Sequence, residues 1–308
     1  MRFLLPLTLA LPLPALAEVP QVVTDIPAVH SLAAQVMGDL GTPAVLLDQG
    51  ANAHNYQMKP SQARSLQEAD LVFWIGPKMT PWLDRAIAGV SLTGKPVGLL
   101  EATGTFRRDF GQTGAHDHGH DNHAQDHTLP GHGHAGLDPH AWLDPTNARY
   151  WLGLIAAELS VTDPENAATY AANAAAAAAR IDALDADLTA QLAPVQARPF
   201  VVFHDAYGYF ASHYGLTVAG TIALGDAAAP GAERLTGLRE TLEQAGAVCL
   251  FPEAQHDPKQ AALLVEGTAV KLGDPLDPSG SSLRYGPGLY EALLRGLADD
   301  LTACLTKG

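Results

Sequence analysis

Thirteen histidines punctuate this 308-residue chain, and seven of them crowd into one short stretch. His116, His118, His120, His123, His127, His132 and His134 are interspersed with Asp117, Asp121 and Asp126. Imidazole suits Zn²⁺, copper, iron and nickel, whereas Mg²⁺ and Ca²⁺ prefer oxygen ligands. The stretch therefore points to transition-metal binding. It sits in a segment, Gly104 to Pro139, dominated by Gly, Asp and His. That is too long for an ordinary connection, and such loops are functional or disordered. A flexible ligand set loses ordering entropy when it binds, so it should hold metal more weakly than a preformed site. The expectation is an accessory loop over residues 115–135 that collects metal at low affinity and passes it on, or senses excess. The alternative is a tolerated insertion without a transport role.

Three other histidines stand at the edges of expected elements. His54 follows an apolar run in the loop Gly50-Ala51-Asn52-Ala53-His54-Asn55-Tyr56, and His204 ends the run Val201-Val202-Phe203. His140 lies in Asp138-Pro139-His140-Ala141-Trp142-Leu143-Asp144, ahead of a helix. Singly, each reads as a polar loop residue. Together they make a joint metal site, and three neutral imidazoles leave a tetrahedron short of one donor. Asp277, in Leu276-Asp277-Pro278-Ser279-Gly280, is a candidate fourth ligand. A water could serve instead, and Asp277 could simply form an Asp-Pro turn. Of the remaining histidines, His30 reads as structural, His213 as a surface residue, and His256 as a loop residue that could act as an auxiliary ligand.

The elements that must position these residues alternate between strand and helix. Strands are expected from Val22-Val23 and at Ala44–Leu47, Leu71–Ile75, Pro96–Leu100, Phe200–Phe203, Leu216–Ala223 and Ala247–Phe251. Helices are expected at Ala28–Met37, Ser61–Ala69, Trp82–Val90, Ala206–Tyr214, Glu233–Ala245, Pro258–Ala269 and Gly288–Leu305. Such alternation predicts parallel α/β sheets. Between the two series, Thr162, Asp163, Pro164 and Glu165 form a helix-start signal, with Thr162 and Glu165 as a capping box. No glycine or proline interrupts Ala167 to Leu192. About 30 residues at 1.5 Å each give a helix of roughly 45 Å, enough to cross two lobes. The fold expected is α/β: two (β/α) lobes with parallel-type sheets joined by one long spanning helix, and a metal site in the interlobe cleft. Ligands of α/β sheets bind beyond the carboxyl ends of the strands. The expected division is 18–160, 161–194 and 195–308.

Bulk properties narrow the function. A formal net charge of −15 argues against binding nucleic acid or anionic lipid by charge alone. Arg2, the apolar run Phe3 to Leu16 and the small residues of Ala15-Leu16-Ala17 read as a signal peptide over residues 1–17. The run is shorter than the ~20 residues a membrane-spanning helix needs. Cys249 and Cys304 are the two cysteines. In an exported protein their natural reading is a disulfide, although two buried thiols remain an alternative.

The loop GANAHNY, the segment DPHAWLD and the segment FHDAYGYF, in this order along the mature chain, resemble the solute-binding receptors of bacterial zinc ABC transporters, the ZnuA-type proteins. The resemblance implies a periplasmic, monomeric receptor that captures Zn²⁺ and delivers it to a membrane permease. It carries the three histidine ligands onto His54, His140 and His204, and the family's disulfide onto Cys249 and Cys304. Manganese-type relatives have a carboxylate at the third ligand, so His204 favours zinc. The late aspartate corresponds to Asp277. Some zinc-type members have an acidic residue just before the first ligand, where this chain has Ala53. The competing expectations are a manganese or other divalent-metal receptor of the same type, a zinc-dependent hydrolase with Glu253 as base, and a metal buffer. No H-E-x-x-H or nucleophile elbow supports the hydrolase.

Overall fold

The computed structural model describes residues 19–90, 92–111, 136–222, 237, 239, 242, 244 and 246–307. The expected signal peptide and the histidine-rich loop, with all seven of its histidines, lie outside these residues, as does most of the helix expected at 233–245. Among the described residues, no helix is long and apolar enough to cross a membrane.

The first sheet comprises β1 (Val22–Thr24), β2 (Ala44–Val45), β3 (Leu71–Trp74) and β4 (Lys95–Gly98), in the order β2-β1-β3-β4. The second comprises β5 (Phe200–Val202), β6 (Val218–Thr221), β7 (Cys249–Phe251) and β8 (Lys271–Leu272), in the order β6-β5-β7-β8. Every pairing is parallel. The central strands β1, β3, β5 and β7 are fully buried, as expected where helices cover both faces. Around the first sheet lie α1 (Pro27–Met37), α2 (Pro60–Glu68), α3 (Pro81–Gly89) and α4 (Pro145–Thr162). Each begins at a proline, whose fixed φ suits a first helical turn and whose missing N–H removes a donor that would lack a partner there.

The long helix is α5 (Ala167–Leu192), 26 residues or about 39 Å. Its buried residues Tyr170, Ala174, Ala177, Ile181, Leu184, Leu188 and Leu192 recur every three or four positions and form one stripe. That stripe belongs to a single core cluster containing residues of both sheets' surroundings. The helix therefore ties the lobes through continuous apolar burial, each large aliphatic contributing about 1.5–3 kcal/mol. Its start differs from the expected capping box. Thr162 ends α4, its hydroxyl donating to the Glu158 carbonyl at 3.2 Å. Asp163 instead caps the 3-10 turn Pro164–Asn166 that leads into the helix, accepting from the Asn166 N–H (3.4 Å) and side chain (2.7 Å), and it also accepts from the Tyr170 hydroxyl (2.8 Å).

The second sheet is flanked by α6 (Gly208–Tyr214), α7 (Lys259–Val265) and α8 (Leu289–Leu305). Helix α8 packs on α1 and α5, so the C-terminus crosses back to the first lobe. Cys249 of β7 and Cys304 of α8 form a disulfide closing 55 residues.

Candidate metal centre

The loop carrying His54 is fixed from two sides. The Asn52 side chain accepts the His54 N–H (2.8 Å), and the Trp82 indole donates to the Ala53 carbonyl (2.6 Å). Ala53 is buried, which suits the absence of a carboxylate there. His140 precedes a short 3-10 turn, Ala141–Leu143, and Asp144 then caps α4 by accepting from the Thr146 N–H. The Asp138 carboxylate accepts the His140 backbone N–H (3.0 Å) and contacts its Nδ1 (2.7 Å). His204 lies two residues beyond β5. Val202 of β5 pairs with Phe251 of β7, so the residue two beyond β7, Glu253, stands beside it. Glu253 Oε1 contacts His204 Nδ1 at 2.5 Å and accepts from the Tyr207 hydroxyl at 3.2 Å. Burial, with the Glu253 charge beside it, pushes the Tyr207 phenol well above its usual range, so it remains a donor.

These contacts aim the three rings at one point. Nε2 of His140 is 3.3 Å from Nε2 of His54 and 3.4 Å from Nε2 of His204. Possible ligand atoms of all three lie within 4.8 Å of one another. Two imidazole nitrogens bound at ~2.0–2.1 Å to a tetrahedral Zn²⁺ would be about 3.3–3.4 Å apart. A carboxylate on Nδ1 holds the proton there and turns the Nε2 lone pair toward the centre in His140 and His204. The three imidazoles share a cavity of about 20 Å³ with Gln255, Pro278 and Ser279. That is room for a water or an ion.

The remaining candidates divide. Asp277 is outside the imidazole cluster. Its carboxylate accepts from Gln255, Ser279, Ser281 and Ser282. These bonds are those of a turn-forming aspartate. His256 stacks on Phe203 at 4.1 Å, with Nε2 3.7 Å from Glu253, and is not in the cluster. His30 is buried, as expected. His213 departs from its surface reading: it lies between Asp144 and Asp185, with only 13% of its side chain exposed. Asp138 and Glu253, the latter expected only as the base of a hydrolase, are partners of the site histidines that the sequence did not reveal as such. Asp138 was detectable as a carboxylate two residues before a histidine. Glu253 needed the β5–β7 register.

Two parallel sheets on one long helix, with side chains from both meeting between them, define a solute-binding protein of the cleft type. The chain belongs to the family described as zinc-uptake complex component A, periplasmic (ZnuA), whose model matches residues 22–304. The high-affinity zinc uptake system protein ZnuA of Paracoccus denitrificans (strain Pd 1222) is 52% identical over 307 residues, covering 95% of this chain and 94% of that protein. A crystal structure of ZnuA aligns with a TM-score of 0.73 at 26% identity, over 93% of this chain and 99% of that one. A zinc-bound ZnuA deletion mutant aligns with a TM-score of 0.71 at 26% identity, over 93% and 98%.

Proposed function

We propose that this protein is a periplasmic, high-affinity Zn²⁺ receptor that captures the ion between His54, His140 and His204 and delivers it to the permease of an ABC transporter. The observation that carries this reading is the spacing of the three Nε2 atoms, 3.3 and 3.4 Å, which matches a tetrahedral zinc edge. Three imidazoles favour zinc over manganese, which prefers oxygen. A water completes the tetrahedron in the small remaining cavity. That cavity is too small for a peptide or ester, which supports a receptor rather than a hydrolase. The receptor acts as a monomer, with residues 18–160 and 195–308 as its lobes and 161–194 as the rigid connection. The histidine-rich segment is an accessory collector.

The test is zinc affinity, measured by competition with a chelator. The wild-type chain should show one tight site. His54→Ala, His140→Ala and His204→Ala should each weaken it at least ~100-fold, since each removes a direct ligand. Wild-type affinity in all three variants would reject the site.

A further inference from the structure

Residues 277–283 bond to both N-terminal ligand segments. The Gly50 N–H donates to the Ser281 carbonyl at 2.8 Å. The Gln49 side-chain amide donates to the carbonyls of Ser282 (3.4 Å) and Leu283 (3.2 Å). These three bonds hold the loop that carries His54. From the other segment, the Trp142 indole donates to the Pro278 carbonyl at 2.8 Å, two residues after His140. One turn, reached after the last strand of the second sheet, thus meets two ligand loops that are distant in sequence.

Asp277 organises that turn. Its Oδ1 accepts from Gln255 Nε2 (2.7 Å), the Ser279 hydroxyl (3.1 Å) and the Ser281 N–H (3.2 Å). Its Oδ2 accepts from the N–H (2.8 Å) and hydroxyl (2.5 Å) of Ser282. A carboxylate offers about four lone-pair positions. Five donors use them, so a metal could recruit Asp277 only by dismantling the turn. Gly280 takes φ +70° inside it, with the Leu289 side chain 3.1 Å from where a Cβ would sit. A larger residue there would be strained and crowded. Gln255 Nε2 also reaches the Ser281 hydroxyl (2.7 Å), linking the turn to the segment after Glu253.

We infer that the turn 277–283 is a latch that sets His54 and His140 against His204, and that Asp277 is its positioning residue rather than a zinc ligand. The inference rests on the zinc-site reading above. Its physical content is preorganisation: ligand loops already held together lose less freedom when the ion arrives.

The experiment uses the full chain, with Zn²⁺ affinity, the visible spectrum of the Co²⁺-loaded protein and hydrogen exchange over residues 48–54 as readouts. Gln49→Ala and Asp277→Ala are each expected to weaken Zn²⁺ binding by about tenfold, the scale of one or two lost hydrogen bonds. The double variant should lose little more than either single one, because both act through one turn. The Co²⁺ bands should keep their positions and intensities, since the donor set is intact. Exchange over 48–54 should quicken in both variants. Altered Co²⁺ bands in Asp277→Ala would make Asp277 a donor and overturn the inference. So would wild-type affinity in Gln49→Ala, which also stands alone should Asp277→Ala fail to fold. Undiminished affinity in His204→Ala would instead overturn the site reading.

Discussion

The two sheets share one strand order but use their crossing points differently. In each, the order reverses between the two central strands, β1 and β3 or β5 and β7. Open α/β sheets bind ligands just beyond such a reversal. In the first sheet that place is closed by Asp25. Its carboxylate accepts the N–H of Ile26 (2.8 Å) and of Ile75 (2.9 Å) and contacts the Thr80 hydroxyl. Burial raises its pKa to about 7 against those hydrogen bonds. In the second sheet the same place holds His204 and Glu253. One crossing point is therefore spent on backbone donors, and the other presents a ring to the cleft. The first lobe presents its two histidines of the proposed zinc site, His54 and His140, from loops instead, and those loops are held by Trp82, Asp138 and the 277–283 turn.

The lobes also differ in how they are fastened. Helices α1 and α4 of the first lobe and α6 and α8 of the second pack on the spanning helix, and each sheet has its own satellite apolar cluster of similar size. The difference is the disulfide from β7 to α8, which ties the second half alone. On the chain-entropy model, closing 55 residues contributes about 4 kcal/mol. Cys249→Ala with Cys304→Ala should lower the stability of the second lobe by about that amount, read from denaturant midpoints with and without reductant. Unfolding that is insensitive to the bridge would remove this difference between the lobes.

The carboxylates behind the ligands sharpen the contrast. Asp138 is two residues from His140, whereas Glu253 reaches His204 across 49 residues through strand pairing. Both hold Nδ1, so Asp138→Asn and Glu253→Gln should each weaken zinc binding by about 10–100-fold with the three imidazoles still present. Calorimetric titration of the two variants checks this. A loss in one variant only would mean that the two lobes orient their ligands by different means.

This difference in sequence distance also explains what the sequence disclosed. His54, His140 and His204 were legible because each follows or precedes an element with a clear period, and their motifs sit beside them. The expected strands and helices that fall on described residues were legible for the same reason, to within a few residues, but the bounds of α4 and the short strand β8 were not. The cap at Asp163 was misassigned to Thr162 because α4 runs on to Thr162, a boundary that local propensity does not mark. Glu253 and the outward bonds of the 277–283 turn depend on register and on contacts between lobes. His213 was misread because periodicity on a seven-residue helix cannot report a carboxylate on another helix.

His213 offers the smallest and most specific test, because it joins the lobes that the other tests separate. It lies on α6, with Nε2 2.8 Å from Asp185 on α5 and Nδ1 3.3 Å from Asp144 at the start of α4. Burial opposes its charge, but the two carboxylates outweigh that and raise its pKa to about 9. An unfolded histidine titrates near 6.5. The folded state therefore binds the proton more tightly, so this contribution is complete below about pH 6.5 and is lost as pH rises through about 9. After allowance for its partial exposure and for solvent screening, the contribution is on the order of 1–2 kcal/mol. Wild-type stability should therefore decline between pH 6.5 and 9, and His213→Gln should lose that slope while being less stable at pH 6. The measurement is chemical unfolding across that interval. A wild-type slope retained in His213→Gln would show that the proton resides elsewhere, and that α6 is held to α4 and α5 by apolar contact alone.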